Sequence, residues 1–226
     1  MLIGRRGVLL AGGALAGGAL AEAGPAAAAA DSALPVPPGN AMAFRLVRHD
    51  SDIGRHTLAF TRQGGDLTVR INVDVLVTLI SIPLVRYAHQ ATETWRDGQL
   101  VALSGDTDKN GRKEWLRATS TAEGLAVTGS RTARYIAPTG AIGTSYWNKR
   151  MLDGPMISME DGVLLRPKIA PLPAQPVKLA SGSTIEANRY DLTGDFSADV
   201  WYDRTNTWAS LAFSVPDGSI VHYERL

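Results

Sequence analysis

Cysteine is absent from the 226 residues, which excludes disulfides, thiolate metal sites, a thiol nucleophile and a lipidated cysteine anchor. Charge of either sign is not in excess, with 23 Lys and Arg against 22 Asp and Glu, so the chain lacks the basic field that draws a protein to nucleic acid. Histidine is sparse. The four residues His49, His56, His89 and His222 form no H-x-x-x-H pair, and no G-x-S-x-G nucleophile motif occurs; the sequence therefore calls for no metal and no cofactor. Long hydrophobic runs are also lacking. The apolar stretch near the N-terminus, Gly7 to Ala21, has 15 residues, five of them glycine, whereas a membrane-spanning helix needs about 20 strongly apolar residues.

What that stretch does resemble is an export signal. Arg5-Arg6 precede it, and the small-residue sites Ala21-Glu22-Ala23 and Ala28-Ala29-Ala30 follow it, the three-part layout of a cleavable leader. The segment GRRGVLL is similar to a twin-arginine signal, although Leu10 stands where a polar residue is expected, so the twin-arginine and general secretory routes both remain open. Cleavage near Ala23 or Ala30 would send the mature chain to the periplasm with no transmembrane anchor. Removing Arg5, Arg6 and Glu22 leaves 21 basic and 21 acidic residues, a formally neutral product. The expected organisation is a signal over 1–30, a Pro-rich linker over 31–41 and a single all-β domain over 42–226.

The β assignment rests on period-two alternation. Leu67, Val69, Ile71, Val73, Val75, Val77 and Leu79 take every second position with mostly polar residues between them, the pattern of a half-buried strand. At about 3.3 Å per residue, thirteen residues span roughly 43 Å, and a strand that long must curve or twist around a core. Shorter alternating segments recur along the chain. Many are separated by tight-turn pairs such as Asp97-Gly98, Asn110-Gly111, Glu123-Gly124, Asp161-Gly162 and Asp217-Gly218. Connections this short predict an antiparallel meander. The expected fold is mainly β, a curved antiparallel sheet forming a barrel or half-barrel of roughly 10–12 strands. One short helix is expected over Thr144–Leu152, capped by Thr144 or Ser145, with Trp147 and Met151 one turn apart.

Few residues stand out for chemistry. Asp106, Asp108, Asn110 and Gly111 match the first half of a calcium loop, but Arg117 occupies the position of the closing glutamate, which favours a plain hairpin turn. His89 and Glu93 share a strand face with Tyr87 and Trp95, as a weak candidate acid–base pair or as polar groups in a cavity. The aromatics Tyr87, Trp95, Trp147 and Trp201 fit a barrel core, or the lining of a site for a lipid-like tail. Alternation breaks at Leu79-Ile80-Ser81-Ile82-Pro83-Leu84-Val85, a strand end or loop whose Ile80, Ile82 and Leu84 make a candidate mouth.

The segments ETWRDGQLVAL (Glu93 to Leu103), SYWN (Ser145 to Asn148), RYDLTGD (Arg189 to Asp195) and VWYD (Val200 to Asp203), with the twin-arginine-like leader, resemble an exported bacterial family known only as a domain of unknown function, family 6134. That family brings no catalytic or binding residues. More distantly the chain resembles periplasmic lipoprotein-carrier-type half-barrels, in which a curved sheet shelters acyl chains; the resemblance implies a sheltered concave face. The function expected is a non-enzymatic periplasmic module binding a lipid or other apolar small molecule. A hydrolase or isomerase using His89 and Glu93 and an envelope assembly or scaffold protein are the alternatives.

Overall fold

The computed structural model describes residues 34–79 and 82–226. A 3-10 turn at Pro38–Asn40 leads into eight consecutive strands: β1 (Ala41–Arg48), β2 (Ser51–Gln63), β3 (Asp66–Leu79), β4 (Ile82–Arg96), β5 (Gln99–Lys109), β6 (Arg112–Thr121), β7 (Gly124–Gly129) and β8 (Thr132–Ile136). The segment 137–167 follows, carrying the short β9 (Ile142–Gly143), β10 (Met156–Ile157) and β11 (Leu164–Leu165). Five further strands end the chain: β12 (Lys168–Lys178), β13 (Thr184–Thr193), β14 (Ala198–Asp203), β15 (Trp208–Ser214) and β16 (Ile220–Arg225).

Thirteen of these strands form one antiparallel sheet in the order β12-β13-β14-β15-β16-β1-β2-β3-β4-β5-β6-β7-β8. Every neighbour except β16–β1 is also a neighbour in sequence, and that one pairing joins the two meanders, with Leu46 opposite Tyr223. The sheet remains open, with β8 and β12 as its edges. β12 carries Pro171, Pro173 and Pro176, residues a sheet tolerates at an edge because no further strand needs their missing N–H. The turns follow from their sequences. Asp97 and Gly98 have φ of 50° and 74°, and Asn110 and Gly111 have 55° and 89°, the two positive values that a twisted two-residue hairpin requires.

The inward side chains form rows across the sheet. One row runs Phe60, Val69, Glu93, Leu103, Ala118, Val127. The next runs Leu58, Ile71, Ala91, Gly105, Leu116, Gly129, and its small members mark where another piece of chain comes close. A Cβ at Gly105 would stand 2.1 Å from the Met159 carbonyl oxygen, and one at Gly129 would stand 1.9 Å from that of Asp161. The segment 137–167 therefore lies directly on the inner face and acts as a plug, burying Ile142, Trp147, Met151, Met156, Ile157 and Met159 against the sheet.

The helix expected over Thr144–Leu152 is replaced by a single 3-10 turn at Lys149–Asp153, whose start is capped by the Asn148 side chain accepting from the Arg150 N–H. Tyr146 explains the difference. Its φ of 63° is incompatible with a right-handed helix, and its carbonyl is held by the Tyr202 hydroxyl at 2.8 Å. The pseudo-calcium segment is a hairpin in which Asp106 pairs with Arg117 and Asp108 with Lys113.

Candidate functional site

Beyond the plug, one further inward row runs Phe44, His56, Val73, His89, Thr107, Glu114. Alternation puts these side chains inside for the same reason that it puts Leu58 and Val69 there, so several polar groups are carried into the interior. Above this row the core is not filled. A cavity of about 760 Å³ lies between β1–β4, the plug and the β14–β16 end of the second meander, within the roughly 300–1,000 Å³ typical of small-molecule sites. Its walls are mostly apolar, with Ile71, Val73, Val75 and Val77 contributed by successive inward positions of β3, and Leu211 and Phe213 facing them from β15. The lining includes the exposed Val85 and Asp217, so the cavity reaches the surface beside the β3–β4 and β15–β16 hairpins.

Polar groups gather on one wall. His56 is 4% exposed, and neither ring nitrogen has a hydrogen-bond partner. Leaving such a group unpaired costs about 1–3 kcal/mol. Burial first, and then the nearby His89, hold the His56 pKa down at about 3, so the ring is neutral. Burial also lowers His89, whose Nδ1 lies 2.8 Å from the Thr107 hydroxyl. The Tyr87 hydroxyl donates to Glu160 Oε1 at 2.8 Å, while Lys109 donates to Glu160 Oε2 at 2.5 Å and also pairs with Glu114 at 2.9 Å. Burial, reinforced by Glu160, pushes the Tyr87 and Tyr146 hydroxyls well above the ordinary tyrosine range, and burial raises Tyr223 likewise. Tyr146 reaches this wall through its left-handed backbone, with its ring stacked on Trp208 at 5.3 Å. Holding a bulky residue there stores about 1–3 kcal/mol of strain.

The other candidates fall in different places. Trp95 and Trp147 are fully buried at the filled end, with ring centroids 5.7 Å apart, and both indole N–H groups donate to Glu93 Oε2 at 2.8 Å. Glu93 is completely buried there. Burial raises its pKa, and hydrogen bonds from Ser145, Trp147 and Trp95 act against that rise. Glu93 thus ties the plug to the sheet, and His89, four residues away and about 13 Å along the strand, borders the cavity without touching it. Trp201 lies on the opposite face of β14 from Val200 and Tyr202, in a small separate cluster with Val177, Ala187, Ala209 and Ala212. Ile80 lies outside the described residues, and the backbone positions of Ile82 and Leu84 belong to the start of β4. The wall residues His56, Tyr146, Tyr223 and Glu160 were not singled out from sequence. For His56 a signal exists, since it shares inward parity with Leu58 and Phe60 on β2.

The family model of a domain of unknown function, DUF6134, matches residues 44–226. The chain belongs to this family. The matched region runs from the core residue Phe44 in β1 to the last residue, so in this DUF6134 protein it spans both meanders and the plug. No curated protein matches the chain. Among solved structures it is similar to a β-barrel-like protein of the domain of unknown function DUF1849 from Brucella abortus, with a TM-score of 0.58 and 10% identity over 82% of this chain and 94% of that one. At that identity the likeness concerns the fold alone.

Proposed function

We propose that this DUF6134 protein is an exported, non-enzymatic module that binds a hydrophobic, lipid-like ligand on the concave face of its sheet. The observation that carries the reading is the apolar cavity of about 760 Å³ left between the two meanders where the plug stops. A folded domain normally fills such a space, because interiors pack at the density of organic crystals. An apolar ligand recovers the contacts that the walls otherwise lack.

Tyr87 is the lining residue from the sequence candidates that this reading retains in the cavity wall. Val77 and Val85, near the end of β3 and the start of β4, border the same space, which supports a mouth beside that hairpin. Binding is favoured over acid–base catalysis by His89 and Glu93, because Glu93 has both tryptophans as partners and does not border the cavity. Export rests on the leader over 1–30, which lies outside the described residues; among the described residues no helix is long and apolar enough to cross a membrane.

The test is to purify the protein from the periplasm of an expressing cell, extract it with organic solvent and identify what is released by mass spectrometry. A stoichiometric apolar compound is the expected result. A clean extract, together with failure of acyl-chain probes to bind the extracted protein, would overturn the reading.

A further inference from the structure

On the reading just given that the cavity holds a ligand, two tyrosines narrow its class. Tyr146 of the plug and Tyr223 of β16 both line the cavity. Trp208 of β15 brings them together, its ring centroid 5.3 Å from that of Tyr146 and 5.8 Å from that of Tyr223, and its own indole N–H is fixed by donating to the Ser210 carbonyl at 2.9 Å. Tyr146 reaches this place through its left-handed backbone, with φ of 63°, and the Tyr202 hydroxyl clamps that turn at the Tyr146 carbonyl. Strain of this kind in a bulky residue persists where the surrounding fold holds the side chain to one spot, and ligand clamps are among such spots.

What the spot supplies is a phenol hydroxyl. The Tyr87 hydroxyl is committed to Glu160, whereas those of Tyr146 and Tyr223 have no hydrogen-bond partner among the described residues. Neither is shut in as the unpartnered His56 nitrogens are. Burial first, and then Glu160 at Tyr146 and both Tyr146 and Glu160 at Tyr223, raise the two hydroxyls far above neutral pH, so both stay protonated and close enough for each to act on the other. A protonated phenol is a good donor and, with its oxygen lone pair drawn into the ring, a poor acceptor. The cavity wall therefore presents two neutral donors to whatever fills the space.

A formal charge on the acceptor is disfavoured. The Glu160 carboxylate stands on the same wall and holds Tyr87 on one oxygen and Lys109 on the other, Lys109 is shared with Glu114, and Arg48 at the rim is paired with Asp217. An anionic head would be desolvated beside Glu160 with no unpaired cation among the described lining residues to receive it.

We propose that the cavity selects an apolar ligand with an uncharged carbonyl group, a fatty ester being the simplest case. The carbonyl oxygen accepts from Tyr146 and Tyr223, and the hydrocarbon lies along Val73, Val75 and Val77 toward the mouth.

The test is competition against an environment-sensitive acyl probe on the protein, at neutral pH and below aggregation of the competitors, using methyl dodecanoate, dodecyl methyl ether and dodecanoate. The ester and the ether differ only in the carbonyl oxygen, and the ester is expected to bind about five- to tenfold more tightly than the ether and more tightly still than the carboxylate. Tyr146→Phe combined with Tyr223→Phe, which keeps both rings against Trp208, should bring the ester down to the affinity of the ether and leave the ether unchanged. Equal binding of ester and ether on the unmodified protein, a comparison that needs no variant, would overturn the carbonyl assignment while leaving ligand binding itself standing. An ester advantage that survives the double substitution, or a carboxylate that binds as tightly as the ester, would overturn it in the same way. Failure of all three compounds to displace the probe would remove the ligand-binding reading and this inference together.

Discussion

His56 and Glu93 show how one rule of strand geometry yields two different outcomes for buried polar groups. Both take inward positions by alternation, and both are almost wholly removed from water. Glu93 recovers two indole donors. His56 recovers none. Their pH signatures have opposite sense. The His56 pKa falls from 6.5 to about 3 on folding, so between those values the unfolded chain binds a proton that the folded chain does not. Its contribution is complete above pH 6.5 and is lost as pH falls toward 3, at up to about 1.4 kcal/mol per pH unit. The raised pKa of Glu93 instead favours the folded state below its ordinary value of 4.5, and that contribution is lost as pH rises through the folded value. Urea unfolding of His56→Phe and the parent chain between pH 7 and pH 4 should therefore show the stability difference shifting in favour of the variant as pH falls, because only the parent loses the His56 contribution. Parallel curves would show that His56 is not buried as a neutral ring.

At the scale of elements, the plug decides which part of the concave face is filled. Its backbone lies so close to β5 that Gly105 has no room for a methyl group, since a Cβ there meets the Met159 carbonyl oxygen. Gly105→Ala should cost about 1–3 kcal/mol through displacement of the plug. Gly65→Ala, with nothing within 4 Å of the new carbon, should change stability by less than about 0.5 kcal/mol. Thermal and denaturant unfolding read both, and equal effects would place the plug away from the sheet. The strands were legible where burial is one-sided. β3 shows it best, its seven alternating apolar positions matching the strand Asp66–Leu79. The two edges were harder to read. β12 is broken by prolines and β8 is five residues long, and an edge strand needs neither strong alternation nor every N–H. The plug was hardest, because Tyr146 and Trp147 are held by Tyr202 and Glu93 from distant strands. Such contacts leave no local period in the sequence. The same reason hid most of the polar wall, since Tyr146 and Glu160 come from the plug and Tyr223 from the last strand.

Over the whole molecule, the pairing of β16 with β1 turns two meanders into one sheet. It is reinforced by Arg45 with Glu224, which also pairs with Lys178 at 3.2 Å. The thirteen strands curve without closing, and the plug fills one end of the enclosed space while the other keeps a cavity lined by both meanders. Membership of DUF6134 and likeness in fold to a DUF1849 protein leave the functional argument to that cavity. The most direct measurement is an equilibrium titration of the protein with an acyl-chain fluorophore, run beside a variant in which Val75→Trp fills the cavity from β3. The account predicts saturation at one probe per chain, and at least about tenfold weaker binding by the variant with its melting transition unchanged. Unsaturable binding, or equal affinity in the filled variant, would contradict it.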